Sequence, residues 1–250
     1  MYNQPLMRPI APPQKKMKAW PLIFTLSLIA LIFASIWLLF ELPQELDYLF
    51  DSFGELDMFR NFFSIVADLL FFTAVLLFFL FAVTLYKKRS AKTIFSLVQL
   101  FWMIGAAMVV LWYLFFIVDM SDYMFGYHDY DYYNYYPAGY EHYYFFSIAD
   151  VLETFSFWIA ILVLSILSAC KSFKKGSGIG VLVAASSLSI LNSSSSIFSN
   201  LEWYLRGMRF SDLISFNLLF NLFMILFHVG LILYLAFHEG VPGSKENPTA

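Results

Sequence analysis

Six long apolar runs dominate this chain, and each is close to the length that a helix needs to cross lipid. The first, Trp20 to Phe40, carries no ionisable residue at all. A segment inside the bilayer must satisfy its own backbone hydrogen bonds, and a helix does so over about 20 residues. With 60% hydrophobic residues, 13% charged and 30 Phe among 250 positions, the composition excludes an ordinary soluble domain. The expected fold is all-α, a polytopic membrane protein with helices at about 19–41, 61–86, 94–118, 145–169, 178–198 and 213–237.

Orientation follows from Lys and Arg, because short cytoplasmic loops retain them. If both termini are cytoplasmic, twelve of these residues lie inside and three (Arg60, Arg206 and Arg209) lie outside. That imbalance predicts an even number of spans. Residues 1–18, with four prolines and the basic residues Arg8, Lys15, Lys16 and Lys18, read as a disordered cytoplasmic lead-in that meets lipid headgroups. Residues 238–250 read as a disordered cytoplasmic tail. The span 42–60, with Glu45, Asp47, Asp51, Glu55 and Asp57, reads as an acidic outer loop.

A second outer loop, 119–144, is low in complexity and holds ten of the 16 tyrosines among Asp122, His128, Asp129, Asp131, Glu141 and His142. Tyrosine offers a large amphipathic contact area, so this loop either anchors at the interface or recognises a protein partner. Its acids and histidines have no fixed spacing, so no metal site is expected. The lone Cys170 forms no internal disulfide, and no cofactor is implied.

The helices alternate in character, which suggests three in-out-in hairpins. Odd helices begin with related strings, IFTL at Ile23–Leu26 and IFSL at Ile94–Leu97. Even helices begin with FFSIVADLL at Phe62–Leu70 and FFSIADVLE at Phe145–Glu153, and more loosely with SFNLLFN at Ser215–Asn221. Such a repeat, uninverted, would be related by an axis along the membrane normal.

These strings also carry the chemistry. A carboxylate in a lipid-spanning segment costs several kcal/mol unless it is paired, protonated or wet. Asp68 lies in the second helix. Asp150 and Glu153 lie in the fourth, three apart and so on one face. Asn217, Asn221 and His228 lie near one line of the sixth, and Ser189, Asn192, Ser193 and Ser196 share a broad face of the fifth. The Gly- and Ser-rich fifth helix is expected inside the bundle.

If these faces converge, Asp68, Asp150, Glu153, Asn192, Asn217, Asn221 and His228 line an outward-facing polar cavity suited to a small polar or cationic solute. The competing reading leaves the acids hydrated at the outer interface or paired with Arg60, Arg206 or Arg209. Gln99 lies in the inner third of the third helix. Gly105, Ala106 and Ala107 at its middle suit close helix packing.

No zinc-protease H-E-x-x-H, nucleophile elbow or Walker loop is present, so no enzyme is expected. The basic residues sit beside lipid and form no separate patch, so no nucleic acid is expected either. The expectation is a small permease, channel or transporter component of a cell membrane, the compact length pointing to the cytoplasmic membrane of a bacterium. The alternative is a non-enzymatic accessory, sensor or immunity-type protein that holds its partner through the Tyr-rich loop. Deleting Ser121–Tyr140 separates the two, since only the second loses its activity with the bundle intact.

Overall fold

Along three of the apolar runs a line of buried residues can be followed whose spacing alternates between three and four. In a computed structural model that describes residues 19–50, 55–87, 92–125, 140–169, 177–205 and 216–237, the chain folds into α1 (Ala19–Phe50), α2 (Glu55–Tyr86), α3 (Lys92–Phe125), α4 (Tyr140–Ala169), α5 (Ser177–Leu205) and α6 (Phe216–Phe237). All six are long and apolar enough to cross a membrane, as a multi-pass integral membrane protein requires.

On α1 the buried line is Ile23, Ser27, Ala30, Ala34 and Trp37; on α2 it is Ala67, Phe71, Ala74, Phe78 and Phe81; on α6 it is Asn221, Met224, His228, Leu231 and Leu235. A repeat near 3.5 residues keeps one seam facing its neighbours along the whole helix, the arrangement of left-handed knobs-into-holes packing.

Each helix packs on the next in sequence, and α6 packs back on α1, so the six close into a ring. Trp37 meets Phe220 while Trp20 meets Tyr234, which sets α1 antiparallel to α6; Phe71 meets Phe220 while Phe78 meets Phe227, which sets α2 parallel to it. Aromatic rings fill the middle of the ring of helices. Phe71 lies 4.9 Å from Trp102, 5.7 Å from Trp158 and 6.1 Å from Phe220, joining α2 to α3, α4 and α6.

Two glycines admit this filling. A Cβ on Gly105 would stand 2.8 Å from the Phe71 ring, and one on Gly230 would stand 2.9 Å from the Phe78 ring. The small patch expected at the middle of α3 therefore serves close approach, to a phenylalanine ring of α2.

Several helices run further than the apolar runs suggest. The predicted outer loop at 42–60 is largely helical: α1 continues through Pro43 to Phe50, and α2 begins at Glu55. Pro43 costs one intrahelical hydrogen bond, and two cross-helix bonds hold the extension. Ser64 donates to Glu45 Oε1 at 2.5 Å, and Asn61 Nδ2 donates to the Tyr48 carbonyl at 3.2 Å. The helical extensions of α3 to Phe125 and of α4 back to Tyr140 take up both ends of the Tyr-rich segment. Residues 126–139 at its centre lie outside the described residues, as do both termini and Cys170.

α5 is not enclosed as expected. It takes a place in the ring, with Leu191 and Phe198 exposed on one side and its polar residues turned inward on the other.

Candidate functional site

Hydroxyl groups in apolar helices usually discharge their hydrogen bond onto their own backbone, and most here do so. Thr25, Ser35, Thr73, Thr84, Ser156, Ser189 and Ser196 each donate to the carbonyl four residues back, and Ser27 to the one three back. The buried polar groups that do not follow this rule mark the candidate site.

The first is Asp68, one helical turn before Phe71 on α2 and only 8% exposed. Its carboxyl lies within hydrogen-bonding reach of Glu45 on α1, and the other charged group acting on it is Glu41, so its charged neighbours are both acidic. Glu45 receives the Ser64 hydroxyl on Oε1, while its buried Oε2 has no hydrogen-bond donor. Arg60, a partner expected from sequence, sits over the Phe116 ring at 5.7 Å.

The second is a small chamber in the half of the bundle away from the α1–α2 turn, between α3, α4, α5 and α6, with a volume of about 20 Å³. Gln99, Trp102, Ser165, Ser186, Phe227 and His228 are among its walls. Four of its polar atoms are buried without a hydrogen-bond partner: Ser165 Oγ, Ser186 Oγ, and both Nδ1 and Nε2 of His228. The Trp102 ring meets the imidazole edge-to-face, centroids 4.3 Å apart at 83°, and Phe227 stands 4.9 Å away. These contacts fix the plane of the histidine.

A polar seam leads toward the chamber from the end of the bundle at which α1 turns into α2. α5 and α6 are antiparallel neighbours and the chamber sets Ser186 level with His228. Two turns along, Asn192 and Ser193 therefore come level with Asn221, with Ser189 between. All of these side chains are buried.

Of the residues proposed from sequence, the structure brings Asn192, Asn221 and His228 to this seam, while Asp68 lies on α2 against Glu45 of α1. Glu153 is exposed on α4, off the buried line Trp158, Ile161 and Ser165, and does not reach the seam. Asp150 and Asn217 lie within α4 and α6, but their side chains are outside the described residues. Among the described residues no group of three or more His, Cys, Asp or Glu could hold a metal ion.

Sequence reasoning missed Glu45, Ser165 and Ser186. Only Glu45 had a visible signal: it lies on a helix face with Glu41, four residues apart, aimed at the next helix. No known family, curated protein or solved structure matches this chain.

Proposed function

We propose that this protein is a small permease, channel or transporter component of a cell membrane. In this reading both termini are cytoplasmic, and Asp68, Asn192, Asn221 and His228 serve a polar path that is entered from the outside. The observation that supports this most directly is the buried Asp68 carboxyl, which among the described residues has acidic neighbours and no basic one acting on it. A helix bundle that served only as an anchor would gain nothing from it, since a carboxylate at this depth costs several kcal/mol. Asp68 suits a proton or a small cation, whose positive charge the acidic residues beside it would offset.

The aromatic filling of the bundle favours small species passing one at a time over a wide aqueous pore. The seam of Asn192, Ser193 and Asn221 supplies amide and hydroxyl groups along the way, the usual substitute for water inside a membrane protein.

Flux measurements test the proposal. The purified protein is reconstituted in liposomes with an entrapped pH dye for protons, and in parallel with radiolabelled sodium and rubidium. At least one of these should move under an imposed gradient. Asp68→Asn should slow it by at least about tenfold while the melting temperature is maintained. No flux of any of the three, or an undiminished flux in the variant, would overturn the reading.

A further inference from the structure

The chamber around His228 lies two turns deeper than Asn221, and its chemistry differs from that at Asp68. Its walls contain no Asp, Glu, Lys or Arg, so a permanent charge placed there would have no counter-charge. Its volume of about 20 Å³ is of the order that holds a single water molecule. Ser165, Ser186 and His228 are 7%, 1% and 1% exposed.

Leaving a buried polar atom without a partner costs about 1–3 kcal/mol, and Ser165, Ser186 and His228, which carry such atoms, line one small space. That cost would be avoidable. Ser189 on the same helix as Ser186 turns back to its own backbone, whereas Ser165 and Ser186 do not. A hydroxyl both donates and accepts, and a neutral imidazole offers one donor and one acceptor. The guest that matches this set is neutral, close to water in size, and able to donate and accept at once.

We propose that the His228 chamber binds a neutral, water-sized molecule that both donates and accepts hydrogen bonds, with water and ammonia as its two candidate sources. The guest bridges Ser165 on α4, Ser186 on α5 and His228 on α6, and so ties three helices together inside the bundle. This deepens the transport reading by naming what its inner cavity holds, but it stands on the chamber alone.

The test uses the full chain in nanodiscs with its four histidines labelled with nitrogen-15. His228→Phe assigns the His228 imidazole signals by their disappearance. In the unaltered protein these signals should show cross-relaxation from a bound exchangeable guest, and the S165A/S186A protein should lose it while keeping its helicity. Adding ammonia at alkaline pH separates the sources: a shift of the His228 ring nitrogens identifies ammonia, and unchanged shifts with a persistent water peak identify water. A His228 imidazole without a guest signal in the unaltered protein would overturn the proposal, as would a signal indifferent to loss of both hydroxyls. Occupancy without flux in liposomes would leave the chamber's guest established and remove the transport reading alone.

Discussion

At the residue scale, two acids near the start of even helices come apart in the structure. Asp68 and Glu153 both sit in FFSI-type strings near the beginning of an even helix, yet one is buried and the other exposed. The difference is helical phase. Glu153 stands five residues before Trp158, about 140° around the helix, on the side that the bundle leaves open. We therefore expect Glu153→Gln to leave flux in liposomes within about twofold of the unaltered protein, while Asp68→Asn abolishes it.

The glycines offer a stability counterpart. Gly105→Ala and Gly230→Ala must displace the Phe71 and Phe78 rings, at about 1–3 kcal/mol each. Gly180→Ala meets nothing within 4 Å and should leave stability unchanged or slightly raised. Thermal unfolding in detergent distinguishes the three.

At the element scale, the positions and number of helices were legible from apolar runs and flanking charges, because lipid demands a minimum length of hydrocarbon from every span. The inward face of each helix was much harder to read. In lipid, the outward face is as apolar as the inward one, so the contrast that marks a buried stripe in a soluble helix is lost.

What distinguishes the inner line of α1 is size: Ser27, Ala30 and Ala34 are buried while Ile29, Ile32 and Ile36 are exposed. The Ser- and Asn-bearing face of α5 was legible because it did retain a polar contrast. The chamber was not legible, because one polar residue from each of four separate helices meets the others there. Ala34→Leu should accordingly cost about 1–3 kcal/mol by separating α1 from its neighbours, and the equally apolar change Ile32→Leu should cost little. A comparison of melting temperatures checks this.

At the scale of the whole molecule, the ring closes between its first and last helices, and the charges lie unevenly along it. Twelve Lys and Arg accompany the termini and the connections on their side, against three at the other end. If both termini are cytoplasmic, as we propose, the lone Cys170, between α4 and α5, should react with a membrane-impermeant thiol reagent only after cells are permeabilised. Labelling of intact cells would reverse the orientation and, with it, the side from which Asp68 is reached.

The extension of α1 through Pro43 has its own consequence for the membrane that houses the protein. The α1 helix is 32 residues long, roughly 48 Å, where an average bilayer offers about 30 Å of hydrocarbon. Its extra turns, and those of α2 beside it, expose Leu46, Tyr48, Phe50, Met58 and Phe59, side chains that a thin bilayer leaves outside the hydrocarbon. A thicker, sterol-like bilayer would cover them and bring the Glu45 and Asp68 pair deeper below its surface. Lipid thickness then becomes a control on how readily Asp68 meets water. Melting temperature should rise, and flux should fall, as the acyl chains of the reconstituting lipid are lengthened.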